Sequence, residues 1–331
     1  MTGILNKQAF TSCCKERVTI DRQREEEQVT FERLLREKGF NPEFPELPEL
    51  LEFNDLIDRF RRIIYGYYQE YARQFLWRMT HDPYYILVSE IMLQQTQAER
   101  VAQKYDQFIT EFPDFSSLAC APLQKILSVW QGLGYNRRAI SLKAIAQAIM
   151  EEFGAHLPSD VESLITLPGI GHATASAICA FAFNKPTVFI ETNIRRVFIH
   201  FFFFHKDMVK DTQILPLVER TIDKSNPREW YYALMDYGVM LKKELQRKQL
   251  LNPNRRSAHY QLQSPFEGSN RQIRGMILKI LIAAKTSLSE SEIVQEVKMY
   301  PQMDPQIVKR NLIQLQKEGF IQKQEDRFSI K

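Results

Sequence analysis

Between Asn54 and about residue 245, apolar residues recur at three- and four-residue spacing and period-two alternation is scarce, so this stretch predicts a run of amphipathic helices. Ile57, Phe60, Ile63, Ile64, Tyr67, Tyr71 and Phe75 mark the face of the first. Ahead of it, residues 21–38 are charge-dense with Phe31, Leu34 and Leu35 at helical spacing, and Pro42, Pro45 and Pro48 then bar a continuous helix. Residues 1–50 therefore predict a helical arm and an extended linker. From Arg247 to Arg274 the chain turns polar and basic, with Arg255, Arg256, Arg271 and Arg274 set among the breakers Pro253, Pro265 and Gly268, which predicts a linker over residues 247–270. Beyond it come an apolar helix at residues 272–284, a capping-box start at Ser289-Glu290-Ser291-Glu292, and a helix opened by Asp304-Pro305 and closed at Gly319. The tail from Phe320 to Ile330 alternates around a turn.

These last elements, three helices and a hairpin over residues 271–331, are similar to a winged helix-turn-helix, with Lys309, Arg310 and Lys317 on its recognition helix. The same fold serves equally as a protein-contact module. The fold class is thus all-α, with a helical core over residues 51–246 and a C-terminal winged helix. At 331 residues the chain fits two lobes and an appendage. A net charge of only +4 means that nucleic-acid binding cannot be argued from the total and rests on where the basic residues cluster. Four cysteines, Cys13, Cys14, Cys120 and Cys179, form no C-x-x-C pair, which argues against a disulfide framework or a zinc site and fits a reducing compartment. The N-terminus has no apolar signal segment, and the Phe201–Phe204 run is too short to span a membrane and predicts a buried helix.

The chemistry concentrates in residues 167–197. Pro168, Gly169 and Gly171 make a tight turn between two helical patterns, and a turn without bulky side chains lets successive amides approach a phosphate oxygen. This is the logic of a helix-hairpin-helix. Glu191 follows the apolar run Thr187–Ile190 and precedes Thr192 and Asn193, either of which could cap a helix beginning near Ile194. The positive potential there predicts an ionised Glu191. Glu90 lies on a helix opened by Asp82-Pro83, with Ile86, Leu87 and Leu93 as helical neighbours, and apolar surroundings predict a raised pKa. Two carboxyls pushed apart in pKa make a natural acid and anion pair.

Three further blocks stand in order around the hairpin: Ser89-Glu90-Ile91-Met92-Leu93-Gln94-Gln95-Thr96-Gln97, Trp130-Gln131-Gly132-Leu133-Gly134-Tyr135 and Ala233-Leu234-Met235-Asp236-Tyr237-Gly238. Together the four resemble the helix-hairpin-helix (HhH-GPD) DNA glycosylase superfamily, and within it the MutY-like adenine glycosylases, over roughly residues 60–245. The resemblance implies a two-lobed helical core and a monofunctional enzyme that removes a mispaired base, adenine opposite guanine or 8-oxoguanine first. It gives Glu90 the role of acid toward the leaving base, Glu191 that of the anion stabilising an oxocarbenium ion, and Asn193 that of its positioning neighbour. Where the family carries Asp, this chain carries Glu191, one methylene longer. Ala173 stands where bifunctional members carry the Schiff-base lysine, so strand cleavage is not expected. Gln94, Gln95, Thr96 and Tyr135 match positions that enter the gap left by a flipped base or contact the base opposite. Gly169, Gly171, His172 and Ala173 match the phosphate cradle, and the carbonyls of Ile165, Leu167 and Ile170 a site for potassium or sodium.

The family's iron-sulfur cluster needs four cysteines after the third block; Lys242 occupies the place of the first and no cysteine follows Cys179, so no cluster is expected. The basic stretch with Arg255 and Arg256 is expected to supply phosphate contacts in its place. The expected partner is double-stranded DNA with a mismatched or damaged base, the expected location cytoplasmic or nucleoid-associated, and the expected state monomeric. Two other readings remain: a thymine or uracil mismatch glycosylase, since pocket contacts decide the base, and a DNA-binding protein that recognises lesions without excising them.

Overall fold

A computed structural model of the chain describes residues 26, 28–31, 33, 34, 50–262, 265–298 and 304–331. Leu35, Pro42, Pro45, Pro48, Cys13 and Cys14 lie outside the described residues. The helices in chain order are α1 (Leu50–Tyr71), α2 (Pro83–Leu93), α3 (Ala98–Glu111), α4 (Phe115–Cys120), α5 (Leu123–Trp130), α6 (Arg137–Glu152) and α7 (Val161–Leu164). They continue with α8 (His172–Phe183), α9 (Thr192–Phe202), α10 (Asp211–Thr221), α11 (Pro227–Arg247), α12 (Asn270–Ala283), α13 (Glu290–Lys298) and α14 (Pro305–Lys317). Strands β1 (Leu288–Ser289), β2 (Ile321–Gln324) and β3 (Arg327–Ile330) complete the fold. Among the described residues no helix is long and apolar enough to cross a membrane.

The chain forms two compact units, each built from two separate stretches. One comprises residues 1–74 and 184–261. Its helix α1 buries Phe60, Ile63 and Ile64 of the stripe read from the sequence, and Leu56 where that reading had Ile57, which is half-buried, while Phe75 falls beyond the helix end. Of the Phe201–Phe204 run, Phe201, Phe202 and Phe203 are core, buried on and just after α9, and Phe204 is half-buried beyond the helix. Phe31 of the arm is 1% exposed, and its ring meets Phe60, Phe201 and Phe202 at centroid distances of 6.3, 5.8 and 6.4 Å. The neighbouring Gln28 accepts a hydrogen bond from the Tyr237 hydroxyl at 2.9 Å. At the end of α1, buried Asp236 accepts the Arg73 backbone amide at 2.8 Å and its Nε at 2.6 Å, so a charge inside α11 is neutralised where the chain leaves this unit.

The other unit comprises residues 75–183 and 262–331. Its apolar core runs without a break from Trp77, Tyr105, Phe108 and Trp130 through Ile145 and Ile178 to Ile277, Leu312 and Phe328. The C-terminal elements follow the winged-helix order, and the sheet runs β1-β3-β2 with antiparallel pairing that sets Leu288 and Lys323 on either side of Phe328. Ser289 and Glu292 cap α13 reciprocally: the Ser289 hydroxyl accepts the Glu292 amide and the Glu292 carboxylate accepts the Ser289 amide. Gly319, at φ +79°, ends α14 in the left-handed conformation that lets the chain turn back into β2. This module shares its core with residues 75–183, and Gln124 of α5 donates to the Ile282 carbonyl of α12 at 3.1 Å.

Because Phe31 fills an aromatic cluster, Phe31→Ala is expected to destabilise the protein by about 3–5 kcal/mol. Equilibrium denaturation checks this through the midpoint at constant slope.

Candidate active site and nucleic-acid surface

In the unit of residues 1–74 and 184–261, the site is built on the first turn of α9. Glu191 is itself the N-cap, a role the sequence reading gave to Thr192 or Asn193. Its Oε1 accepts the amides of Asn193 and Ile194 at 2.6 and 2.7 Å, and its Oε2 accepts the Asn193 side-chain amide at 3.1 Å. The longer side chain thus folds back on its own helix and satisfies two amides that a helix start leaves open. Asn193 passes the contact on: Arg196 Nη1 donates to its Oδ1 at 2.6 Å and to the Gly238 carbonyl at 2.8 Å, while Arg196 Nε donates to Asn252 Oδ1 at 3.1 Å. Arg196 is buried, and burial lowers its pKa while Glu191 raises it.

The helix-end effect expected to dominate at Glu191 needs correction. Burial pushes its carboxyl above the ordinary value, and the amides of Asn193 and Ile194 together with Arg196 and Arg195 only partly oppose this. Desolvation outweighs the helix end because the half-buried carboxylate gives up much of its hydration and the two amides return only part of it. The neighbouring Arg195 is engaged elsewhere, in a two-pronged pair with Asp211 at 2.7 Å on each prong.

Gly238 explains the third sequence block. A Cβ there would lie 2.6 Å from the Asn193 carbonyl oxygen and 2.7 Å from its Cβ, so only glycine lets α11 approach α9 at the residue that orients Glu191.

The unit of residues 75–183 and 262–331 carries the remaining predicted residues. Asp82 caps α2 by accepting the Tyr84 and Tyr85 amides, as the sequence indicated, and Glu90 sits half-buried on that helix beside buried Ile86 and Leu87. The Gln94–Thr96 turn and the Gly132–Tyr135 turn are tied together by buried Arg138. Its guanidinium donates to the carbonyls of Met92 and Gln94 at 2.6 Å each, to Gly134 at 3.0 Å and to Thr96 Oγ1 at 2.9 Å. Those turns hold Gln95 and Tyr135 at φ +54° and +46°, a conformation that costs a non-glycine residue energy and needs such fixing. Gln94 donates to the Gly169 carbonyl and to Thr174 Oγ1, each at 3.3 Å, which joins the first block to the hairpin.

In the hairpin, Gly169 has φ +83° and a Cβ there would lie 2.9 Å from Ser141 Oγ, whereas Gly171 is exposed with open space around it. The hairpin's first helix, α7, is only four residues long, capped by Asp160 on the Ser163 amide. His172 and Ala173 lie exposed on the first turn of α8, whose leading amides have no intrahelical acceptor. Of the residues expected at a cation, Leu167 and Ile170 are buried and Ile165 is half-exposed; the Leu167 carbonyl accepts the Ile170 amide at 3.2 Å and closes the turn.

Residues 88–217 match the model of the HhH-GPD superfamily base excision DNA repair proteins. The chain is 35% identical over 187 residues to the adenine DNA glycosylase of Buchnera aphidicola subsp. Baizongia pistaciae, covering 55% of this chain and 52% of that protein. It is 32% identical to the rat adenine DNA glycosylase over 201 residues, 56% of this chain and 39% of that one, so it spans about half or less of these relatives' length. With the adenine DNA glycosylase of Mycobacterium tuberculosis it shares 31% identity over 246 residues, 69% of this chain and 80% of that protein. The chain belongs to the HhH-GPD superfamily. It is also similar to a solved thermostable thymine-DNA glycosylase, with a TM-score of 0.51 and 27% identity over 57% of this chain and 88% of that one.

Within this HhH-GPD protein the residues present do not fit an iron-sulfur cluster. Lys242 is an exposed lysine on α11, and no thiol follows Cys179 in the sequence. The segment after α11 instead offers amides and guanidinium: Asn254 Nδ2 donates to the Thr192 carbonyl at 2.9 Å, and Arg256 donates to the carbonyls of Ile199 and Phe203 at the far end of α9. Arg256 is therefore a brace of α9, a correction to its expected place at a phosphate, because its guanidinium already answers the carbonyls a helix end leaves open. Arg255 is exposed. Among the described residues no group of three or more His, Cys, Asp and Glu side chains is placed to hold a metal ion. Sequence reasoning missed Arg196, Asn252 and Asn254; only the three-residue step from Asn193 to Arg196 along one helix face hinted at any of them.

Gly238→Ala is expected to cost about 1–3 kcal/mol through overpacking and to depress activity beyond the stability loss, measured by thermal melting beside single-turnover kinetics. A carboxyl raised on folding contributes stability that is present below its unfolded pKa and is lost as pH rises through its folded pKa. Glu191→Gln should therefore melt close to the parent in acid and above it at neutral pH, read from the melting-temperature difference across that range.

Proposed function

We propose that the protein is a monofunctional DNA glycosylase of base excision repair, hydrolysing the N-glycosidic bond of adenine mispaired with guanine or 8-oxoguanine in duplex DNA. The observation that carries this reading is the Glu191–Asn193–Arg196 assembly at the head of α9, in a chain 31% identical over 246 residues to an adenine DNA glycosylase. The base must leave the stack before its glycosidic bond is accessible. Glu90 donates a proton to the departing adenine, which leaves as a neutral base. Glu191, as the carboxylate, faces the positive charge that develops on the sugar; burial raises its pKa, and the oxocarbenium ion opposes that by favouring the anion. Asn193 and Arg196 fix its orientation, and water adds at C1′, losing its proton to Glu191. With Ala173 in the hairpin there is no amine to form a Schiff base, so the product is an abasic site in an unbroken strand.

The hairpin amides around Gly169 and Gly171, with His172 beside them, take the phosphate backbone, and Gln94, Gln95, Thr96 and Tyr135 line the opened duplex. Arg255 adds charge to the backbone contact. Carbonyls of Ile165, Leu167 and Ile170 would hold a potassium or sodium ion, and no iron-sulfur cluster takes part. The protein acts as a monomer in the cytoplasm, at the nucleoid where there is one. The thymine-DNA glycosylase likeness keeps a second substrate in view, thymine or uracil opposite guanine.

Single-turnover release from duplexes with A·8-oxoG, A·G, T·G and U·G, followed by alkali cleavage, tests the reading. Adenine release is expected, with Glu191→Gln and Glu90→Gln each slower by roughly 100- to 10,000-fold. Glu191→Asp reports whether the extra methylene is part of the geometry. Release of pyrimidines alone would establish the second substrate. No release from any duplex despite tight binding would replace the enzyme by a lesion-binding protein.

A further inference from the structure

The winged-helix module divides by charge. Helix α13 carries Glu290, Glu292 and Glu296, and the turn between β2 and β3 carries Glu325 and Asp326. These acids answer the cations nearest them: Lys309 pairs with Glu290 at 2.7 Å, Arg327 with Glu292 at 3.2 Å and Lys323 with Asp326 at 3.2 Å. A surface neutralised in this way offers a polyanion little. Helix α14 differs, because residues 305–317 contain no acid, and its exposed Arg310 and Lys317 have no ion pair among the described residues. They stand two turns apart on one side of the helix, about 10 Å along its axis. Ile313 between them is 55% exposed, and the remaining exposed positions there include the uncharged amides Gln306, Gln314 and Gln316. One apolar residue among amides and cations makes a poor centre for a protein interface, which is depleted of charge and rich in aromatics.

This side of α14 leads to the turns and the hairpin. Gln314, one turn beyond Arg310, donates to Glu318 Oε1 at 2.7 Å, and Glu318 follows Lys317 directly. Glu318 also holds Arg274 and lies 3.6 Å from Arg137, whose side chain is 70% exposed. Together with Gln94, Tyr135 and Gly169, Glu318 and Arg137 line a cavity of about 430 Å³. The helical lobe and the module share one apolar core, so this juxtaposition is fixed by packing and not by a linker. We propose that the winged-helix module is a second duplex-binding surface, in which Arg310 and Lys317 of α14, with Arg137 beside them, take phosphates of the double strand flanking the mispair. Each phosphate so neutralised releases condensed counterions, and a backbone contact holds at any flanking sequence, as repair at arbitrary sites requires. The proposal rests on the reading that the hairpin engages duplex DNA.

The test measures the affinity of the full chain for A·G duplexes of two different flanking sequences by anisotropy over a range of salt, beside single-turnover adenine release. The double variant Arg310→Ala, Lys317→Ala should bind both sequences roughly tenfold more weakly at 0.1 M salt and lower the salt slope by about 2. Lys279 and Lys285 are exposed cations of the same module, Lys279 beside Glu292 and Glu296. Replacing both by Ala removes the same charge and should leave affinity within about twofold and the slope unchanged. The exchange Arg310→Lys, Lys317→Arg should keep the parent's slope, and melting temperatures check that each variant is folded. Lengthening the duplex by one helical turn on one side of the mispair should strengthen binding by the parent and not by the Ala variant. An unchanged slope in the Ala variant, an equal loss in the Lys279, Lys285 control, or a loss confined to one flanking sequence would overturn the proposal. Adenine release from no duplex would sink the glycosylase reading alone, because the salt slopes still decide whether α14 meets the backbone.

Discussion

A buried arginine has to be answered by acceptors, and in this protein Arg196 is answered by the groups that matter for chemistry. Its guanidinium sits between the Asn193 side chain, the Gly238 carbonyl and the Asn252 side chain, so it fixes the first turn of α9, the closest point of α11 and the start of the segment beyond α11 in one place. The Glu191 carboxylate hangs from that arrangement through Asn193. Removing any member leaves buried donors or acceptors unmatched, which costs more than the contact itself contributes. This constraint explains why a glycine stands at residue 238 and why the segment after α11 is rich in Asn and Arg.

A second buried guanidinium does equivalent work in the other unit. Arg138 lies in α6 yet answers carbonyls from the end of α2 and from the Gly132–Tyr135 turn, two stretches that are far apart in sequence. The turns it joins carry left-handed Gln95 and Tyr135, and the strain of those residues persists because the arginine leaves the backbone no alternative. In both units, therefore, an arginine that looks in the sequence like one more helix charge is what shapes a loop or a cap.

The helices were legible because their determinants are local. Asp82-Pro83 and Asp304-Pro305 start helices where the sequence placed them, and the α1 stripe of Phe60, Ile63 and Ile64 is buried as its spacing required. Glu90, Gln94, Gln95, Tyr135 and Gly169 could be singled out because ordered blocks carry them. What was not legible depends on partners distant in sequence. The upward pKa shift of Glu191 was not legible because a sequence shows the helix end beside it and not the burial around it, and Arg256 was misplaced because its carbonyl partners are more than fifty residues earlier. Within the linker expected over residues 247–270, the turn from Pro253 to Ser257 is a packed brace for the same reason, with Pro253, Asn254 and Ser257 buried.

The interleaving of the two units also sets an order of assembly during synthesis. Residues 75–183 are contiguous and can gather their helices as they emerge, but α1 is made before them and packs with α9 and α11, which come after. At about 5–20 residues per second the growing chain carries α1's aromatic face without its later partners for roughly 9–35 seconds, until α11 is complete. That interval, rather than the finished fold, is when Phe60, Ile63 and Ile64 are open to the wrong partners, and Phe31, on the same early stretch, is the one described aromatic already at hand to cover them.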